Sequence, residues 1–220
     1  MKVYISVDIE GITGIAHWDE ARKNHADHAE FRTRMTAEAA AACEGALAAG
    51  ATEIWVKDAH GSGRNLLAEQ LPGPVRLIRG WSGHPYAMLQ ELDESFDAVC
   101  LVGWHGPANH PANPLAHTLT GNFADLRLND QWLSEYLLHA HVAALTQTPI
   151  VFISGDAGIC SLAENANPAI TAVVTHYGRG EMVVGYPPAE MRSRITTEIE
   201  AALRSDLASH TRPSAPTLSP

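Results

Sequence analysis

Residues 3–10 read VYISVDIE, a β-rich apolar run that ends on two carboxylates, Asp8 and Glu10. The same arrangement recurs along the chain. EIWVKDAH (53–60) runs into His60, DAVCLVGWH (97–105) into His105, and PIVFISGD (149–156) into Asp156. Helical periodicity separates these runs: the Ala-rich segment 29–49 carries Met35, Ala39, Ala42, Ala46 and Ala49 at three-to-four spacing and stops at Gly50. Alternating strand and helix predicts an α/β fold with a mainly parallel sheet flanked by helices. In such a sheet ligands bind beyond the carboxyl ends of the strands, so the acids and imidazoles that close these runs are expected to meet there as a metal site.

Working outward, the pattern predicts further helices near 85–92, over 133–145 and from Pro187-Pro188 to about 208, and a fifth strand over 169–175. The stretch after the Pro-rich loop 107–114 alternates as HTLT and LRLND, which reads as a small antiparallel excursion. Residues 1–208 are expected to form one domain, followed by a Pro- and Ser-rich tail over 209–220.

A net charge of −10 argues against nucleic acid or anionic membrane as a main partner, since both recruit Lys and Arg. Cys43, Cys100 and Cys160 have no paired spacing and read as buried hydrophobes in a reducing compartment. No apolar run approaches the roughly 18 residues of a membrane span, and the chain opens on a strand rather than a signal segment. A cytoplasmic protein is expected.

Asp8 and Glu10 are two residues apart at a strand end and leave one face together. At about 4 Å and an effective dielectric near 20, two carboxylates repel by about 4 kcal/mol, so the pair should share a proton or hold a cation. His60 and His105 supply nitrogen ligands, and an N/O set without thiolate suits zinc first, then manganese or cobalt. Glu135 at a helix start and His117 in the excursion are each compatible with a structural role. Asp58 could orient an imidazole or cap a turn, and Asp156 is a weaker candidate of the same kind.

The motifs SVDIEGITG (6–14), MTAEA (35–39), KDAH (57–60), GWH (103–105), AHT (116–118), Asn129-Asp130, Ser134-Glu135 and SGD (154–156) follow one another as in peptidase family M55, which this chain resembles over about its first 160 residues. The resemblance implies a zinc-dependent D-aminopeptidase acting on small peptides. It implies two zinc ions held by Asp8, Glu10, His60, His105 and Glu135, with Asp8 as bridge, His117 as the catalytic histidine, and a homo-oligomer. It also implies that a C-terminal portion of the family, roughly a further fifth of its length, has no counterpart here. Two other readings suit the same residues: another metal-dependent amide or lactam hydrolase, and a non-catalytic assembly protein stapled by the metal.

Overall fold

In β1 (Lys2–Val7) everything from Val3 onward is buried, as befits a run that is apolar apart from Ser6 and the phenol of Tyr4. Both polar groups are satisfied, Tyr4 Oη donating to Gln90 O at 2.7 Å and Ser6 Oγ to Met88 O at 2.9 Å. The computed structural model describes residues 1–128 and 130–210. Asn129 and residues 211–220 of the expected tail lie outside the described residues.

After β1 come α1 (Trp18–Ala21), α2 (His28–Ala48), β2 (Glu53–Asp58), β3 (Val75–Ile78) and β4 (Ala98–Trp104). The hairpin β5 (Arg127–Leu128) and β6 (Gln131–Trp132) precedes α3 (Glu135–Leu145), β7 (Ile150–Asp156), α4 (Ala157–Ala166), β8 (Thr171–Arg179), β9 (Met182–Gly185) and α5 (Pro188–Arg204). The main sheet has seven strands in the order β3-β2-β1-β4-β7-β8-β9, parallel except for β9. The α/β expectation and its small antiparallel excursion are both met, the latter as the β5–β6 pair.

One apolar layer lies between the sheet and α2 with α5, centred on Val7, Met35, Val102 and Ile199. The other lies under α3 and α4, around Tyr4, Leu101, Tyr136 and Ile159. Burying a side chain such as Met35, Ile153 or Ile199 contributes about 1.5–3 kcal/mol.

Several local expectations differ from the structure. The helix expected near 85–92 is a single 3-10 turn, Ala87–Leu89, because Ala87 and Glu91 have φ of 43° and 71° and cannot continue a helix. The terminal helix ends at Arg204, where Ser205 turns extended. The HTLT segment forms only an isolated Thr118–Thr120 bridge. Four of the labelled elements escaped the sequence reading. α1 is a single four-residue turn. β3 and β9 are four-residue outer strands, too short for a period. α4 starts directly on the last residue of β7, with no intervening loop to separate the two.

From β1 the chain builds outward through β2 to β3, then crosses to the other side of β1 as β4. The crevice at such a reversal is where open α/β sheets bind ligands. It is drawn tight by backbone contacts: Asp8 N donates to Val102 O and Gly11 N to Gly103 O, both at 2.8 Å. Gly103 has φ of 71°, and a Cβ there would stand 2.4 Å from Asp8 O; one on Gly11 would stand 1.8 Å from Trp104 O. These two glycines let the turn after β1 press against the end of β4.

Candidate metal centre

Beyond the strand ends, the structure brings together Asp8, Glu10, His60, His105, His117 and Glu135. Asp8 and Glu10 lie in the turn after β1, His60 two residues past β2, and His105 directly after β4. Glu135 opens α3, whose N-cap Ser134 accepts from Leu137 N. His117 comes from the loop before the hairpin.

His60 Nδ1 lies 3.1 Å from Glu10 Oε2 and 3.3 Å from Asp8 Oδ1. His105 Nε2 faces Asp8 Oδ2 at 3.5 Å and Glu135 Oε1 at 3.6 Å, and His117 Nε2 faces the same Glu135 oxygen at 3.7 Å. The His105 and His117 rings stack, 4.2 Å between centroids and 11° between planes. Candidate ligand atoms fall into two groups, each spanning less than 4.8 Å: Asp8 with Glu10 and His105, and His105 with His117 and Glu135. His105 belongs to both. His117 is thus as close to the cluster as the five residues expected to bind metal.

The second nitrogen of each ring shows what the cluster is shaped for. His60 Nε2 donates to Ala21 O at 2.9 Å, His105 Nδ1 to Gly106 O at 2.9 Å, and His117 Nδ1 to Leu115 O at 3.0 Å. A carbonyl only accepts, so these bonds set the tautomer and leave the other nitrogen of each neutral ring as a lone pair directed at carboxylate oxygens. Lone pairs facing carboxylates repel unless a proton or cation stands between them. His105 Nε2 is the clearest instance, a buried nitrogen with no hydrogen-bond partner among the described residues. The donor set therefore fits a divalent cation of the zinc type.

Without a cation, the protons distribute to relieve the same conflict. Burial and the charge of Glu10 push the Asp8 carboxyl up to about 7. Burial also opposes charge on Glu10, but His60, His105 and His117 more than offset it and hold that carboxyl below its usual range. Burial disfavours an imidazolium at His105, yet Glu135, Asp8 and Glu10 raise it to about 9. Burial and the neighbouring His105 lower His117.

The supporting residues were only partly legible. Asp58 does not touch an imidazole; it accepts from Asn65 Nδ2 at 2.8 Å and Leu66 N at 2.7 Å, closing the loop after His60, while Asn65 Nδ2 also donates to His60 O. Asp156 does more than its weak sequence signal suggested. One of its oxygens caps α4 through Gly158 N and Ile159 N, and the other accepts from Gly106 N and Asn113 Nδ2. Asn113 in turn donates to Glu10 O at 2.8 Å. Asn113 was missed; its only local signal is an Asx turn to Leu115 N before Pro114. Leu119 was missed as well, and its φ of 61° directs its amide to Glu135 Oε1. His28 is buried against Asn65.

A cavity of about 820 Å³ opens beside the cluster, with His60 and His117 among its lining residues and Trp18 and Phe123 on its apolar wall. That volume suits a short peptide.

Known proteins share this architecture. A D-aminopeptidase of Bacillus subtilis (strain 168) is 31% identical over 171 residues, which cover 78% of this chain and 62% of that protein. The match thus spans less than two thirds of the relative's length. The solved structure of the Zn-dependent D-aminopeptidase DppA from Bacillus subtilis, described as a self-compartmentalizing protease, superposes with a TM-score of 0.87 at 29% identity, over 92% of this chain and 74% of that one. A profile of the peptidase M55 family, described as D-aminopeptidase, matches residues 1–218. The chain belongs to the M55 peptidase family.

Proposed function

We propose that this chain is a di-zinc aminopeptidase that hydrolyses short peptides carrying an N-terminal D-residue of the D-alanine type. The observation that carries the reading is the shared design of His60, His105 and His117, each tied by one nitrogen to a backbone carbonyl and presenting the other to Asp8, Glu10 or Glu135. Asp8, Glu10, His60, His105 and Glu135 would hold the ions. Zinc bound there would supply a Lewis acid for the scissile carbonyl and lower the pKa of water. Zinc is favoured over manganese or cobalt by the imidazole content and by the Zn-dependence named for the DppA structure.

The remaining work falls to the chain's own groups. His117 reaches the cavity with Nε2 as its free lone pair, so it can take a proton and hand it to the departing amine. Trp18, 5.2 Å from the His117 ring in an edge-on contact, limits how that ring can turn. The cavity is large enough to admit a small peptide. Residues 1–208 are read as one catalytic unit in a cytoplasmic homo-oligomer. The three cysteines are unpaired and buried, which suits a reducing compartment; among the described residues no helix is long and apolar enough to cross a membrane. The self-compartmentalizing description of DppA supports self-assembly.

The test is amine release from D-Ala-D-Ala and L-Ala-L-Ala by protein of known metal content, beside chelated and zinc-restored samples. Chelator-sensitive turnover of the D-peptide, restored by zinc, is the expected result. No turnover of either peptide by fully loaded protein overturns the reading.

A further inference from the structure

We propose that the basic wall of the cavity, built by Lys23 and Arg64 with Arg22 beside them, binds the C-terminal carboxylate of the substrate, making free short peptides rather than C-terminally blocked ones its ligands. The inference rests on the aminopeptidase reading and names a part of the substrate that does not react.

Charge distribution carries the argument. The chain has 25 acidic and 15 basic residues, yet Arg22, Lys23 and Arg64 line this one cavity and no Asp or Glu lines it with them. Arg22 is partly engaged, lying 3.7 Å from Asp19. Lys23 Nζ donates only to Arg64 O, at 3.3 Å, and neither Lys23 nor Arg64 has a carboxylate partner among the described residues. Ser62 lines the same wall, and its hydroxyl has no partner among the described residues. Two cations without a carboxylate partner among the described residues therefore share a cavity with His60 and His117.

The cluster and the wall suit different groups of one molecule. The carboxylates of the cluster favour a substrate amine or a cation; the cations of the wall favour an anion. An N-terminal amine and a C-terminal carboxylate joined by one or two amides satisfy both. The loop that carries Arg64 is tied to the cluster, because Asp58 fixes Asn65 and Asn65 fixes the His60 carbonyl, with Arg64 between His60 and Asn65 in sequence. A guanidinium matches a planar carboxylate through its fork of donors, and an ammonium lining the same cavity adds a second positive charge.

The experiment measures binding rather than turnover. Zinc-loaded protein is titrated by calorimetry with the reduced-amide analogue of D-Ala-D-Ala, whose scissile carbonyl is replaced by CH2, and with the carboxamide of the same analogue. The L-forms are run alongside. The acid is expected to bind about tenfold more tightly than the carboxamide, the size of one charge-assisted hydrogen bond net of solvent, and the preference should shrink as salt rises. In the double variant Lys23→Gln, Arg64→Gln, the acid-to-amide ratio should fall to about one. Equal binding of acid and amide by the unsubstituted protein, a preference that survives the double substitution, or no binding of any form overturns the proposal. Failure of the aminopeptidase reading would appear separately, as absent turnover of D-Ala-D-Ala by a protein that still prefers the acid analogue.

Discussion

The stacked rings of His105 and His117 direct their Nε2 atoms at one oxygen, Glu135 Oε1, from 3.6 and 3.7 Å. Each ring is fixed from behind by a backbone carbonyl, Gly106 O and Leu115 O respectively. The proposed function gives these two residues, with equal access to one carboxylate oxygen, different tasks, metal binding and proton transfer, and substitution separates them.

His117→Ala should lower kcat by about 10²–10⁴ while zinc content stays at two ions per subunit. Elemental analysis of the variant beside its kinetics decides the matter. Loss of one ion would make His117 a ligand, as its membership of the second candidate group allows.

Metal removal should destabilise the fold itself. Asp8, Glu10 and Glu135 are buried, and a cation relieves their mutual repulsion. Zinc at a hundred times its Kd stabilises by about 2.7 kcal/mol, which raises Tm by about 5–10 °C for a chain of this size. Differential scanning calorimetry with and without chelator checks this, and identical transitions would contradict it.

Asp156→Ala should unfold more easily by about 3 kcal/mol or more, because the amides of Gly106, Gly158 and Ile159 and the Asn113 side chain all lose one acceptor. Zinc affinity should fall about tenfold in the same variant, since Gly106 carries the carbonyl that orients His105. Urea denaturation and a zinc competition titration measure the two effects. A stability loss with unaltered zinc affinity would restrict Asp156 to capping α4.

Glu38 provides a pH-dependent test at a residue outside the set proposed to hold the metal. Burial pushes its carboxyl up to about 6 from 4.5, and one of its oxygens has no partner among the described residues. A raised folded pKa means that the native state binds the proton more tightly. The favourable contribution is complete below pH 4.5 and disappears as pH rises through 6. Glu38→Gln keeps an acceptor for Thr13 N and removes the charge. It should add about 1–2 kcal/mol at pH 8 and almost nothing near pH 4. Urea midpoints of the two proteins at both pH values would show it, and a pH-independent difference would refute the assignment.

What could be read from the chain follows from how local each signal is. A strand buried on both faces must be apolar along its length, so VYISV, AVCLV and IVFIS announced themselves, and the polar residues closing each run marked the strand ends. The Ala-rich stripe from Met35 to Ala46 likewise needs only its own spacing to bury one face. Signals shorter than a period failed: β3 and β9 span four residues each, and the turn at Ala87–Leu89 depends on positive φ values that no local pattern announces.

Proximity and proton placement belong to the fold. Asp58 and Asp156 look alike in sequence, each closing an apolar run. Only the crossing of the chain gives Asp156 a partner 43 residues back at Asn113, and gives Asn113 one 103 residues back at Glu10. The lone pairs that face the carboxylates are chosen by carbonyls of Ala21, Gly106 and Leu115, and the charged wall of the cavity joins residues 22 and 23 to residue 64. Residue types and their order set which chemistry was available, since apolar periodicity acts over a few neighbours. Which nitrogen faces which oxygen was left to the packed structure, because hydrogen bonds and charge interactions depend on distances that exist only once remote segments meet.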